Sequence, residues 1–404
     1  MVRALRNRNY RLYFTGQAVS MTGTWMQATA MSWLAYRVTG SAALLGTIAF
    51  ANQVPAFLLA PVAGAVTDRW PRRRALVVTQ GAAMLQAVVL GALAYSGTIT
   101  KWHLIGLSMF AGAVNAFDIV LRQTFVTELV TDARDLGNAI ALNASLTNGT
   151  RLVGPAVAGL AIPVVGEAMC FIFNAISYLA VIVALLWLDV PERAAAPRKQ
   201  LGRDIAAGFR YAFARPPIRA VLSLLAVISF CGMPYVVLMP VFARDVLHGG
   251  PETMGFMMGA TGLGALMSGL HLAARPGSQG LERFVTRGSA VFGAALVVFT
   301  WSSWLPLSLA ALMLAGYAMM TSATACNTIV QLLVDDAMRG RVMSLYLMAF
   351  MGLMPLGALV VGGLADRCGA PFALRMGGAA CMFGGLLFGR RLEAAFALPP
   401  PDAP

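Results

Sequence analysis

The chain has 404 residues, 58% of them hydrophobic and only 12% charged, with a mean hydropathy of +0.72. That charged share is about half what a soluble domain carries. It leaves too little polar surface to cover the two or three domains into which a soluble chain of this length would divide. A soluble globular protein is therefore excluded, and lipid is the expected solvent. The net charge of +13 would suggest nucleic acid in a soluble protein. Here the positive residues sit in short clusters between long apolar segments, a pattern that orients helices in a bilayer, so no nucleic-acid partner is expected.

Hydrocarbon about 30 Å thick needs roughly 20 apolar residues per helix. On that criterion six spans are expected near 13–36, 44–67, 74–97, 102–126, 138–163 and 166–188. Six more follow near 218–243, 253–274, 284–302, 305–333, 341–365 and 370–389. The reading is an all-α membrane protein of twelve helices in two six-helix bundles, 1–188 and 218–391. The start, MVRALRNRNYRLYF, is not a cleavable signal peptide, because no small-residue cleavage site follows its first apolar run.

Charge orients these spans. With both termini in the cytoplasm, the opposite side holds only Arg37, Lys101, Arg244, Arg367 and Arg375 of the 30 Lys and Arg. Apart from Arg122 and Arg151, which fall within spans, the rest lie inside, as the positive-inside rule requires.

Between the halves, residues 189–217 carry Pro191, Pro197, Pro216 and Pro217 and most of the mid-chain charge. Leu201, Ile205, Phe209 and Phe213 recur every four residues, with Arg203, Asp204 and Arg210 elsewhere around the turn. This spacing predicts a short amphipathic helix docked at the cytoplasmic surface. The tail, 392–404, ends in FALPPPDAP and is expected to be disordered. The halves also echo each other: GPAVAGL around Pro155 and MPLGALVVGGL around Pro355 fall on the fifth and eleventh spans. Parallel repeats of this kind place a substrate site near the bilayer midplane, between the halves.

The most specific motif is Gly64-Ala-Val-Thr-Asp68-Arg69-Trp-Pro-Arg72-Arg73-Arg74, in the short loop after the second span. Gly64 lets another helix pass closely, and Asp68 stands where it can face the positive end of a neighbouring helix. A cluster that merely held the loop inside would explain the arginines but not the Gly-x-x-x-Asp-Arg spacing. The motif resembles the signature of the major facilitator superfamily, G-x-x-x-D-R-x-G-R-R, with Pro71 in place of the second glycine. The resemblance runs through GTWMQ and TGSAALLG, LRQTFVTELV, RLVGPAVAGL, AAGFRYAFARPPIR and NTIVQLLVDDAMRGRVMSLY. These stretches look like the branch that contains enterobactin exporters and macrolide efflux pumps.

That resemblance implies a major facilitator fold in a bacterial inner membrane. It implies a monomer that exports a small amphipathic molecule by alternating access, without a cofactor. It also implies that Asp68 meets the start of the eleventh span near Arg341 to Ser344, and that Arg72 pairs with an acid ending the fourth span, for which Glu128 is the candidate. Such contacts bias a two-state equilibrium and bind no substrate. The matching loop AARPGSQGLERF keeps little of the motif, so the latch is one-sided. Gly154, Pro155 and Gly159, beside Arg151, are similar to the glycine-proline motif of drug-proton antiporters, although the glycine spacing differs. They permit a bend and close packing.

Asp118 and Arg122 lie four apart on the fourth span, with Arg151 on the next. A charge in hydrocarbon is costly unless paired or wetted, so these side chains face the bundle interior. Two readings stay open. A static pair of Asp118 with Arg122 or Arg151 would fix helix packing. Alternatively Asp118 exchanges a proton, since drying favours its neutral form and a nearby arginine its charged form.

Mid-depth polar and aromatic residues are candidates to line the cavity: Gln27, Asn52, Gln53, Asn115, Phe230, Tyr235, Asn327 and Gln331. Each is equally a candidate for interhelical hydrogen bonding. The scarcity of acids argues against a dedicated exporter of dications, while Arg122 and Arg151 would tolerate an anionic or catecholate-like solute. His103, His248 and His271, and the five cysteines Cys170, Cys231, Cys326, Cys368 and Cys381, are too dispersed for a metal site or a disulfide framework. No G-x-x-x-x-G-K-[ST] loop supports an ATP-driven pump, and no clustered nucleophile and base supports an enzyme. The alternative within the fold is an uptake permease or facilitator.

Overall fold

A computed structural model describes residues 3–67, 70–130, 133–188, 202–275 and 280–397. Described backbone is helical almost throughout. In chain order the α-helices are α1 Arg8–Thr39, α2 Ala42–Thr67, α3 Arg72–Tyr95, α4 Lys101–Leu129, α5 Ala133–Leu186, α6 Gly202–Ala214 and α7 Pro216–Val227. They continue as α8 Met239–Val241, α9 Pro251–Ala273, α10 Leu281–Trp301, α11 Leu305–Leu333, α12 Asp336–Leu347, α13 Met354–Cys368 and α14 Ala370–Ala397. Local chemistry sets several boundaries. The Asn7 side chain accepts from the amides of Asn9 and Tyr10 to open α1, and Gly40 closes it with a φ of 63°. Thr100 and His103 form a reciprocal cap on α4.

Among the described residues, ten helical segments are long and apolar enough to cross a membrane. Two features separate this from the twelve spans expected. The fifth and sixth spans are one segment, Asp135–Leu186, which at 52 residues is far longer than the roughly 20 a bilayer needs. It breaks at Gly166, whose φ of 79° and ψ of 167° are not helical. The first expected span is the helix α1, but it is not among the ten, because Tyr13, Gln17, Ser20, Thr24 and Gln27 run along it as a polar stripe. Large apolar side chains such as Leu58, Leu160, Val164 and Leu270 are fully or largely exposed on other helices. Patches of this extent are tolerated where lipid covers them.

The chain divides into two compact units: Met1–Pro197 with Gly249–Gly259, and Arg198–His248 with Ala260–Pro404. In the first unit α1 packs along α5, α2 along α4, and α3 against both α4 and α5. One end of this unit is a core of Tyr10, Tyr13, Leu76, Leu121, Phe125 and Val181 with their neighbours. Approach of α2 to α4 depends on Gly112, where a Cβ would lie 1.8 Å from the carbonyl oxygen of Asn52. Backbones in contact at small residues are how helices gain packing energy in lipid, where apolar side chains have nothing to hide from.

In the second unit α14 packs against α10 and α7, and α10 against α11. Regular helix gives way to π-helical turns at Ile228–Gly232, Phe242–Val246 and Met348–Gly352. The first and last of these meet: the Ser229 hydroxyl donates to the Phe350 carbonyl at 2.7 Å. The expected linker helix is α6. It docks through Gly208, against Arg341 on α12, and through Tyr211 and Arg215. Phe209 and Phe213 stack on each other on its exposed side, 5.7 Å apart. Among the described residues the docking contacts are a close backbone approach and hydrogen bonds of Tyr211 and Arg215, while Phe209 and Phe213 of the apolar repeat stay exposed. Leu201 lies outside the described residues. α14 extends to Ala397, into the stretch read as tail, and 398–404 lie outside the described residues.

Candidate functional site

The loop motif is only partly described, because Asp68 and Arg69 lie outside the described residues, and with them the expected contact of Asp68 near Arg341. Gly64 falls in the last turn of α2. Arg72 opens α3 and hydrogen-bonds the Glu128 carboxylate at the end of α4. Arg73 donates through Nη1 to the Leu188 carbonyl at 3.0 Å and through Nη2 to the Leu186 carbonyl at 2.8 Å. Three arginines at a helix N-terminus oppose its dipole. Arg72 and Arg73 offset that cost, one against a carboxylate and the other against the unsatisfied carbonyls at the end of α5. The capping role of Arg73 was not readable from the motif, since it depends on where α5 ends in space.

Further into the first unit lies a buried polar layer. Asp118, 4% exposed, is surrounded by donors: Arg122 Nε stands 2.5 Å from its Oδ2, and Gln80 Nε2 and Thr79 Oγ1 donate to its Oδ1 at 2.5 and 3.1 Å. Tyr13 of α1 and Tyr178 of α5 are further electrostatic neighbours of Arg122. The structure thus brings Asp118 and Arg122 together. It places Arg151 elsewhere, exposed, with its guanidinium 5.6 Å from the centre of the Trp25 ring. Gly154 is what lets α5 sit there: a Cβ on it would be 2.4 Å from the Trp25 Cβ. Pro155 is buried in the same turn, and Gly159 is in backbone contact with Gly255.

The candidate cavity residues divide by environment. Gln27 is 9% exposed and sits in an amide chain, donating to Gln86 at 2.9 Å and accepting from Asn174 at 2.8 Å. Asn52 donates to the Ser108 carbonyl at 3.3 Å. Both act here as ties between helices. Gln53 and Asn115 are half-buried. In the second unit Tyr235 is buried edge-on to Phe292, and Phe230 lies in the first π turn. Gln331, exposed, donates to Asn327 one turn earlier on α11. Residues the sequence reading did not single out are Thr79, Gln80, Gln86, Asn174 and Tyr178. Thr79, Gln80 and Tyr178 gather at the charged pair and Gln86 and Asn174 at Gln27, and the signal each left was a polar residue inside an apolar run.

Outside the spans, Asp335 joins α11 to α12 and accepts from the Tyr211 hydroxyl at 2.8 Å and from Arg215 Nη2 at 3.0 Å. The Tyr211 hydrogen bond, assisted by Arg215, holds the Asp335 carboxyl below the ordinary Asp range. Desolvation pushes the Tyr211 phenol up. Among the described residues, no three His, Cys, Asp or Glu side chains gather as a metal site.

Ten helical segments long and apolar enough to cross a bilayer, among the described residues, define a multi-pass membrane protein. The transmembrane secretion effector family model matches residues 2–403, and the chain belongs to this family of the major facilitator superfamily. It is 26% identical to a staphyloferrin A transporter of Staphylococcus aureus, over 89% of this chain and 90% of that one. It is 26% identical to the multidrug efflux pump Tap of Mycolicibacterium fortuitum, over 86% and 87%. Against the enterobactin exporter EntS of Shigella boydii the identity is 24%, over 88% and 85%. Among solved structures, the nucleoside transporter NupG shares the fold with a TM-score of 0.76, at 13% identity over 97% of this chain and 100% of that one. A bacterial homologue of ferroportin does so with a TM-score of 0.73, at 14% identity over 97% and 99%.

Proposed function

We infer that this chain is a secondary-active exporter that moves a small amphipathic molecule, a siderophore or a drug, out of a bacterial cytoplasm in exchange for protons. Twelve spans in two six-helix bundles, with both termini inside and the linker 189–217 between them, would sit as a monomer in the inner membrane. The break at Gly166 supports dividing the longest helix into two spans. Export is supported by relatives named for siderophore and multidrug transport.

The observation that carries proton exchange is the Asp118–Arg122 pair, buried among the helices of the first unit. Ionised Asp118 is held by Arg122, Thr79 and Gln80. A proton on its carboxyl cancels the pair and frees a guanidinium whose side chain retains 21% exposure. Alternating access would then present that carboxyl to each side in turn. Gly64, Asp68, Arg69, Arg72, Arg73, Glu128 and Arg341 would form the latch that biases this equilibrium. The exposed guanidinium of Arg151 on the Trp25 face suits an anionic or catecholate-like ring, combining charge with an aromatic surface.

Inverted vesicles loaded with a pH-sensitive dye test this, with siderophores and lipophilic drugs added in turn and the Asp118→Asn protein alongside. Substrate-triggered release of lumenal protons by the native chain, abolished in the folded variant, is expected. An unchanged response in Asp118→Asn returns the pair to a structural role. Silence across the panel, with folded protein present, overturns proton exchange of these solutes.

A further inference from the structure

Gln17 on α1 is 1% exposed, yet neither its Nε2 nor its Oε1 has a hydrogen-bond partner among the described residues. The same holds for the Ser20 hydroxyl, one turn along and fully buried, and for Gln80 Oε1 on α3, whose amide nitrogen is spent on Asp118. Buried polar atoms of this kind are nearly always satisfied in native proteins. Four of them fall on two helices, and on α1 helical spacing puts Gln17 and Ser20 on one face. Tyr13, Gln17, Ser20 and Gln27 share a face of α1. Tyr13 packs edge-on to Phe125 at 5.6 Å and neighbours Arg122, while Gln27 is tied into the amide chain with Gln86 and Asn174. Gln17 and Ser20 lie between those two anchored ends on α1, Gln17 one turn from the Tyr13 that neighbours Arg122.

We propose that this level of the first unit, bounded by Gln17, Ser20, Gln80 and Arg122, is an internal water site. Its water joins the Asp118–Arg122 pair to the Tyr178–Thr24 contact and gives the carboxylate its proton route. The donor set fits water. A buried water makes about three hydrogen bonds to otherwise unsatisfied polar groups, and these atoms offer both donors and acceptors. A metal cation is disfavoured by the fixed charge of Arg122. Two members of the surround reach the surface of the unit: Arg122 keeps 21% exposure, and Thr24, which is exposed, lies 3.3 Å from the Tyr178 hydroxyl. The proposal deepens the proton-exchange reading and rests on it for the use of the route, whereas the water site stands on the orphaned atoms.

Radiolytic hydroxyl labelling of the full-length protein in nanodiscs tests it, because radicals made from bound water modify adjacent buried side chains. Tyr13 and Tyr178 are the reporters. Tyr10 is the control: it shares the apolar core with Tyr13, but its hydroxyl is satisfied by the Ala139 carbonyl at 2.9 Å. Labelling of Tyr13 and Tyr178 well above Tyr10, lost in Gln17→Leu and reduced in the milder Ser20→Ala, is the expected result. Labelling no higher than that of Tyr10, together with a raised unfolding midpoint for Gln17→Leu, overturns the site, since leucine would then relieve a dry orphaned amide. Labelling unchanged in both folded variants overturns it too. Labelling reads water and not transport, so this outcome is independent of whether protons are exchanged.

Discussion

Arg72, the first residue of α3, is hydrogen-bonded to Glu128, one residue from the end of α4. The two are 56 positions apart in sequence, and both side chains are more than half buried. A charged hydrogen bond in that setting fastens the start of α3 to the end of α4, where the two helices already pack.

Removing either partner should therefore cost more than removing both. Arg72→Ala and Glu128→Ala each leave one charge without its partner and should destabilise by roughly 1–3 kcal/mol. A double-mutant cycle on thermal unfolding should give a coupling above about 0.5 kcal/mol. Additive losses would mean the pair contributes nothing in the membrane.

At the ion pair, substitution should separate charge from shape. Asp118→Asn keeps acceptors for Gln80 and Thr79 and should fold. Asp118→Leu strands Arg122 in a polar but uncompensated site and should destabilise by about 3–5 kcal/mol. Pairing Asp118→Leu with Arg122→Met should recover most of that loss. A measured recovery near zero would show that the charge of Arg122 is already satisfied elsewhere.

Acid should release the linker helix from the α11–α12 junction, but only late. Because the folded Asp335 carboxyl lies below its ordinary value of about 3.9, its contribution is fully present above that pH and lost as pH falls through the lower folded value. Hydrogen exchange in α6 should stay protected from neutral pH to about 5 and rise only below the ordinary Asp range. Tyr211→Phe should move the rise to higher pH. Loss of protection already between pH 7 and 5 in the native protein would contradict the assignment.

Close helix contact gives a prediction free of charge. Gly112→Ala puts a methyl group against the Asn52 carbonyl oxygen, so α2 and α4 must part, at a cost of about 1–3 kcal/mol. Alanine at Gly106, on the same helix with nothing within 4 Å of its would-be Cβ, should be neutral or slightly stabilising. Equal midpoints for the two variants would show that the contact is not tight.

Length and hydropathy were enough to read a polytopic helical protein from the sequence alone, because a bilayer imposes its thickness on every span. The loop motif and the Asp118–Arg122 spacing were legible for the same local reason: four residues are one helical turn. What lay beyond reach depends on which helix stands beside which. Arg73 caps α5 because two helix ends meet. Gln27 and Asn52 tie helices together although their residue types also suit a cavity. Gln17 and Ser20 become conspicuous only once α1 packs along α5 and both side chains are buried. Sequence periodicity assigns a side chain to a face of its own helix. Only packing in the folded bundle decides what that face meets, and so whether a polar atom there is satisfied.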